Sequence, residues 1–332
     1  MRFKRSVTAI ALYLATVMTT EASAEPYEYY RDIRPNHWAW NGNDPLIVKA
    51  LIEKITSAGA GAEYPDVAVQ NGAGAWTSEF AALGDQYRAL AEAELQKDLV
   101  GAAADYFMRA SAAYSMAKYP LIERTEAELR AYDASLETLH QAYELHGMRV
   151  ELIEVTQSKG TPNGHLILPH GDAPVQGWPV VIASNGIDVN QGEFFHFVNM
   201  LSARGIATVT YDIAGTGTNA SIPLRPDYEW VPVALAEKVG ARADIDADAM
   251  AIMGVSFGGN ASTKLAHTRP DLFKAAVNMC GPIHDVFQIP LEYFEAIHVM
   301  YRDALFARTG IEKGENAALL DLMRQFSLVD QG

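Results

Sequence analysis

A serine flanked by glycines constrains the fold of this chain more than any other stretch. An apolar run, Met250 to Met253, leads into Gly254-Val255-Ser256-Phe257-Gly258, and a helix-like segment, Gly259 to His267, follows. This is the G-x-S-x-G elbow, which needs glycines because the backbone doubles back and a side chain would collide with the neighbouring strand or helix. The pattern predicts a strained Ser256 whose hydroxyl stands clear of a sheet. A merely tight glycine-rich turn is the alternative.

The chain from Gly147 onward alternates between strand-like and helix-like segments. Met148 to Thr156 and His165 to Leu168 read as a hairpin around Asn163-Gly164. The later segments predict strands at 179–184, 206–211, 250–253 and 275–279, with helices at 192–203, 231–239 and 259–267 between them. Strands that alternate with helices at this spacing favour an α/β fold with a doubly wound, mostly parallel sheet.

The chain before Gly147 has a different pattern. Apolar residues recur at three- and four-residue spacing, which predicts helices at 45–58, 77–95, 101–118 and 125–145. These helices show no fixed repeat, so a solenoid is not expected. We therefore predict a helical domain over residues 25–146 and an α/β core over residues 147–332.

The first residues have the features of a secretory signal peptide. A basic start at Arg2, Lys4 and Arg5 precedes an apolar run, and Ala22-Ser23-Ala24 is a typical cleavage site. The expectation is an exported, periplasmic or secreted protein with a signal over residues 1–24. No later stretch is long enough to cross a bilayer, so no integral membrane segment is expected after signal removal.

Charge and composition narrow the classes of partner. Losing residues 1–24 removes three basic residues and one acidic residue, so the formal net charge changes from −15 to −17. Such a surface repels nucleic acid and anionic lipid, and neither is an expected partner. A small-molecule substrate is expected instead, and a homodimer is left open. The only cysteine, Cys280, ends an apolar run and is expected to be a buried small hydrophobe.

The chemistry that Ser256 could support needs an oxyanion hole as well as a base. One donor is expected to be the backbone N–H of Phe257, and the second that of Ile187, in the loop Asn185-Gly186-Ile187-Asp188 after a buried strand. Gly186 would permit close backbone approach there. The glycine-rich loop at 212–217 lacks the glycine spacing and the lysine of a phosphate loop, so it is not expected to bind a nucleotide. No cofactor and no metal are predicted for the chain.

No base for Ser256 is evident. In an elbow fold the acid and the histidine follow the serine in sequence. His267 lies about three turns along the elbow helix, His284 adjoins Asp285, and His298 is expected inside a helix over 291–307. The only argument for any of these three histidines as the base is that its side chain could reach Ser256. A second helix is expected over 315–326, and no strand is expected after 275–279.

Six stretches together resemble the FrsA-like (fermentation–respiration switch) esterase family of α/β-hydrolases. They are Trp38-Ala-Trp-Asn-Gly-Asn-Asp-Pro45, Ala104-Asp-Tyr-Phe-Met-Arg-Ala-Ser111, Tyr119-Pro120, Gly254-Val-Ser-Phe-Gly-Gly-Asn260, Gly281-Pro-Ile-His-Asp-Val-Phe287 and Phe326-Ser-Leu328. The resemblance implies an N-terminal helical cap that helps to form the substrate pocket. It also implies kinship with hydrolases that cleave carbon–carbon bonds in aromatic diketones and polyketides.

Two readings of function follow. The first is a serine hydrolase that acts through Ser256 on an ester or on a ketone-flanked carbon–carbon bond. The second is a non-catalytic binding or regulatory protein that keeps the pocket without the relay. The resemblance implies that family members continue past Gly332 with two more strands, the triad acid and the triad histidine. On that basis the triad partners of Ser256 are expected beyond Gly332, and this chain is expected to be a weakly active, C-terminally incomplete form.

Overall fold

The computed structural model describes residues 29–332, so the predicted signal over residues 1–24 lies outside the described part of the chain. Five helices come first: α1 (Pro35–Trp40), α2 (Pro45–Ala58), α3 (Trp76–Leu95), α4 (Val100–Lys118) and α5 (Glu126–Leu145). The sequence predicts all of them except α1. Asp44 caps α2 by accepting the Leu46 N–H at 2.8 Å, and Thr125 forms a capping box with Glu128 at the start of α5.

Six strands follow the helical region and form one sheet. They are β1 (Arg149–Glu154), β2 (Asn163–Leu168), β3 (Trp178–Ser184), β4 (Ala207–Tyr211), β5 (Ile245–Val255) and β6 (Ala275–Met279), in the spatial order β1-β2-β4-β3-β5-β6. The pairs β3–β4, β3–β5 and β5–β6 are parallel, whereas β1–β2 and β2–β4 are antiparallel. The predicted mostly parallel α/β fold is therefore confirmed.

Helices cover both faces of the sheet because alternate strand residues point to opposite sides. Ile167, Ala183 and Met253 pack toward α5 and α6 (Phe195–Ser202). Their neighbours, such as Ile182 and Ile252, share a core with α7 (Trp230–Gly240) and α8 (Phe257–Thr268). From β3 the chain passes to β4 on one side and then to β5 on the other. The carboxyl ends of β3 and β5 therefore form a switch point, where open α/β sheets bind ligands.

The last part of the described chain is helical, as predicted, but its first helix is not continuous. The expected helix over 291–307 is two helices, α9 (Leu291–Glu295) and α10 (Val299–Thr309), followed by α11 (Asn316–Arg324) and α12 (Leu328–Gln331). The break falls at His298, whose side chain accepts the Met300 N–H at 3.3 Å and so caps α10. The expectation that His298 lies inside a helix is wrong.

Strand β6 forms an edge of the sheet within residues 29–332, and its side chains are largely exposed. Cys280 directly follows it with a φ of 53° and is an exposed free thiol. The expectation that Cys280 is buried is therefore wrong: an apolar run predicts burial only where both faces of a strand are covered. In the described part of the chain no helix is long and apolar enough to span a membrane.

Candidate active site

Ser256 stands at the turn between β5 and α8, where the sequence places it. Its backbone has a φ of 51° and a ψ of −126°, a conformation that is strained for any residue other than glycine. The Ser256 N–H donates to the Met279 carbonyl of β6 at 2.9 Å, which fixes the turn against the neighbouring strand. The side chain is only partly buried. A strained, anchored and accessible serine is the arrangement expected of a nucleophile elbow.

The glycines around Ser256 are required by the backbone packing. A Cβ on Gly254 would overlap the Gly258 carbonyl of α8, and a Cβ on Gly258 would lie 2.6 Å from Ser184 Oγ and 2.7 Å from the Asn185 carbonyl oxygen. Both distances are shorter than any ordinary contact of a Cβ atom. The collisions predicted for a side chain at Gly254 or Gly258, with a helix and with a neighbouring strand, are confirmed.

The loop after β3 reaches the serine. A Cβ added to Gly186 would lie 2.8 Å from Ser256 Cβ and 2.9 Å from Ser256 Oγ, so the Gly186 backbone passes directly beside the hydroxyl. The same added Cβ would be 3.5 Å from Asp188 Oδ1. The close approach predicted for Gly186 is therefore present, and it places the peptides of the 185–188 loop next to Ser256.

Phe257 and Ile187, the two residues predicted to supply the oxyanion hole, flank one apolar cavity of about 130 Å³. Phe257 is the first residue of α8, where N–H groups have no acceptor inside the helix. Over residues 29–332, the N–H groups of Phe257 and Ile187 donate to no protein atom. Both donors are thus available to an oxygen beside Ser256, and their role in an oxyanion hole remains a prediction.

The structure brings none of the three candidate histidines to the serine hydroxyl. His267 is exposed near the end of α8, and His298 caps α10. The Nδ1 atom of His284 lies 2.7 Å from Ser327 Oγ, so this ring ties the 281–287 segment to the start of α12. In the described chain no histidine is hydrogen-bonded to Ser256. The expectation that the triad acid and histidine lie beyond Gly332 remains a prediction.

A buried arginine braces the loop beside the serine. Arg308, near the end of α10, is 2 % exposed. Its Nε donates to the Ile187 carbonyl at 3.0 Å, and its two terminal nitrogens donate to the carbonyls of Leu121 and Pro120 at 2.9 and 3.1 Å. Burial lowers the pKa of Arg308 to about 10, so the guanidinium stays charged at neutral pH. One side chain thus fixes both the 185–188 loop and the segment that follows α4.

An ion pair holds the same loop from the other side. Arg34 donates to Asp188 Oδ2 at 2.7 Å and to the Tyr119 hydroxyl at 2.6 Å. Burial has the largest single effect and lowers the pKa of Arg34, but Asp188 and the neighbouring Tyr119, Tyr301 and Glu193 together outweigh it, so the net shift is upward. The contact links the residues before α1 to the loop that adjoins Ser256.

A second ion pair, which is buried, binds the chain a few residues after Asp188. Lys118, at the end of α4 and 1 % exposed, donates to Glu193 at 2.7 Å and to the Asn190 side chain at 2.9 Å. Burial raises the pKa of Glu193, but the Lys118 ammonium and His37 outweigh it and hold the pKa at about 2. Sequence reasoning missed Arg308, Arg34 and Lys118, because a basic residue near a helix end usually faces solvent.

Asp212, in the glycine-rich loop after β4, organises a buried polar cluster. Its carboxylate accepts hydrogen bonds from the Tyr132 hydroxyl of α5, from the Gln191 N–H at 2.9 Å and from the Asn190 side chain at 3.0 Å. Because all of these donors are protein groups, the Asp212 carboxylate serves to hold the loop against α5 and the 190–191 segment. In the described residues no group of three or more His, Cys, Asp or Glu side chains could hold a metal ion.

The sequence profile described as Esterase FrsA-like matches residues 7–332. The chain belongs to this family. Among curated relatives, the esterase FrsA of Vibrio cholerae serotype O1 (strain ATCC 39541) is 29 % identical over 320 residues, which cover 95 % of this chain and 75 % of the relative. The esterase FrsA of Vibrio vulnificus (strain YJ016) is 28 % identical over 310 residues, which cover 92 % of this chain and 73 % of the relative. The resemblance predicted from the six stretches is confirmed, and the protein is a hydrolase.

Solved structures agree on the fold. The crystal structure of a 2,6-dihydroxy-pseudo-oxynicotine hydrolase matches with a TM-score of 0.69 at 20 % identity and covers 89 % of this chain and 76 % of its own. The structure of AbyA5 matches with a TM-score of 0.62 at 17 % identity and covers 86 % of this chain and 70 % of its own. At these identities the likeness establishes the α/β-hydrolase fold.

Proposed function

We propose that this protein is a serine hydrolase that cleaves an ester, or a ketone-flanked carbon–carbon bond, in a small molecule through Ser256. One observation carries the proposal: Ser256 has the strained elbow conformation, with a φ of 51°, and the Gly186 backbone lies directly beside its hydroxyl. A glycine-rich turn with a purely structural role would not need a strained serine, nor a second loop with free N–H groups next to it.

The chemistry follows from that geometry. Ser256 Oγ forms a bond to the carbonyl carbon as its proton passes to a base. The carbonyl electron pair moves to the oxygen, where the N–H groups of Phe257 and Ile187 can stabilise the negative charge. The electron pair then returns and breaks the bond to the leaving oxygen or carbon, which takes the proton from the base. Water repeats the sequence on the acyl-enzyme and releases an acid.

A binding or regulatory protein is the second candidate, because over residues 29–332 no histidine is hydrogen-bonded to the Ser256 hydroxyl. Without a base, an oxyanion hole and substrate binding give only residual catalysis. The expectation that this chain is a weakly active form whose relay lies beyond Gly332 remains a prediction.

A fluorophosphonate probe that reacts with activated serines tests the proposal. We expect labelling of the wild type, none in Ser256→Ala, and unchanged labelling in Thr268→Ala, which removes an exposed hydroxyl from the same helix. In a chain extended past Gly332 to the length of the family members, turnover of aryl esters or β-diketones should fall by about 10⁴-fold or more in Ser256→Ala. A wild type that is folded by circular dichroism but reacts no faster than Ser256→Ala would favour the binding protein.

A further inference from the structure

The cavity that Ile187 and Phe257 flank has almost no polar surface. Its other walls come from the segments after β6, including Phe287, Phe294, Leu320 and Met323. Phe287 and Phe294 are each 1 % exposed and Leu320 is 4 % exposed, so these walls are fixed by the core. A polar or charged group that entered this cavity would lose its water without gaining a hydrogen-bond partner. The lining therefore selects an apolar occupant.

The position of the cavity relates it to the proposed chemistry. Phe257 directly follows Ser256, and Ile187 directly follows Gly186, whose backbone lies beside Ser256 Oγ. The backbone N–H groups of the same two residues are the proposed oxyanion donors. A substrate carbonyl held by those N–H groups would thus lie beside the two residues whose side chains flank the cavity. The guanidinium of Arg308 binds the Ile187 carbonyl and is not part of the lining.

An attacked carbonyl carbon carries two substituents, and the cavity suits only one of them. The leaving group departs with an electron pair and must meet a proton donor, which an apolar cavity lacks. The acyl substituent stays attached through the covalent intermediate and needs no polar partner. The volume sets its size, because a cavity of about 150 Å³ lined by Leu, Ile and Phe holds one benzene molecule, and this one measures about 130 Å³.

We propose that this cavity is the acyl subsite of the enzyme and takes an apolar group of about the size of a phenyl ring. The inference rests on the proposed function for the identity of the reacting serine. The presence of an apolar binding site is independent of it. The preferred substrates are then esters or ketones with a phenyl or compact branched alkyl group on the acyl side, and extended or charged acyl groups are excluded.

Binding of benzene tests the cavity without any turnover. We expect saturable binding by NMR titration and a rise in melting temperature, both of which persist in Ser256→Ala. Leu320→Phe reduces the space and should abolish binding. The matched control Leu322→Phe lies on the same helix, is partly buried and does not line the cavity, so it should bind as the wild type does. No saturable binding, or equal binding by Leu320→Phe and Leu322→Phe, would overturn the proposal.

Acyl selectivity tests the role of the cavity. Nitrophenyl phosphonates with a methyl, phenyl or naphthyl group on phosphorus should label Ser256 fastest with phenyl. Leu320→Phe should lower the phenyl-to-methyl ratio by about tenfold or more. Met323→Ala, which enlarges the cavity, should shift the preference to naphthyl. Unchanged preferences in both variants would refute the subsite. Benzene binding without labelling by any phosphonate would instead refute the proposed function, and with it the acyl role, while confirming the apolar site.

Discussion

Replacing Arg308 with Met should destabilise the protein and loosen the loop beside Ser256. The change keeps an unbranched apolar stem but removes the donors to the carbonyls of Ile187, Leu121 and Pro120. A hydrogen bond from a charged group contributes about 1.5–3 kcal/mol, so three of them correspond to roughly 4–9 kcal/mol. Removing a buried cation also removes its desolvation penalty, which is several kcal/mol. We expect a net loss of about 2–4 kcal/mol in the free energy of unfolding, which is the balance of these two opposing effects.

Urea unfolding followed by circular dichroism measures this loss, with Arg308→Lys as the comparison. Lysine keeps the charge but cannot reproduce the planar fork that reaches carbonyls on two segments, so its free energy of unfolding should lie between those of Arg308→Met and the wild type. Fluorophosphonate labelling at low urea reports on the loop beside Ser256, and the rate should fall in the same order. An Arg308→Met protein as stable and as reactive as the wild type would refute the bracing role.

Two further predictions concern acid stability and export. His140 of α5 and His165 of β2 lie against each other with ring centroids 4.4 Å apart. Burial, and then the neighbouring His165, lower the pKa of His140 to about 3. Burial also lowers the pKa of His165. Because each histidine binds its proton less well when folded, stability is full above the unfolded pKa of about 6.5 and falls as pH decreases from there toward 3. His140→Phe should flatten the pH dependence of the free energy of unfolding, measured by urea titration, by up to about 1.4 kcal/mol per pH unit between pH 6 and 4, and an unchanged slope would contradict this origin. We also propose that the protein is exported, so N-terminal sequencing of periplasmic material should give Glu25, whereas an intact Met1 on folded cytoplasmic protein would contradict export.

Much of the fold could be predicted because the local pattern and the final packing agree. The alternation of strands and helices fixed the sheet class, and the glycines at 254 and 258 fixed the elbow through contacts that no side chain could replace. The close approach of the 185–188 loop to Ser256 was predictable for the same reason, since Gly186 is the residue that allows it.

The failures share one physical cause: they depend on what packs against a segment. The apolar run before Cys280 predicts a buried thiol, yet Cys280 directly follows β6, an edge strand within residues 29–332 whose side chains are largely exposed. The side chain of His298 caps α10 and interrupts a run whose apolar spacing predicts one helix. Arg308 reads as a solvated residue near a helix end, and only the folded chain brings carbonyls from two distant segments to it.

The missed cations suggest how the helical region and the loop beside Ser256 are coupled. Arg34 and Lys118 belong to the helical region, and each binds a carboxylate in the 185–193 segment, Asp188 or Glu193. Arg308 joins Ile187 of that segment to the residues following α4. Lys118–Glu193 is a buried ion pair, and removing one partner of such a pair costs about 3–5 kcal/mol. A shift of the helical region would therefore move the 185–193 segment with it. The geometry beside Ser256 thus depends on how the helical region packs against that segment.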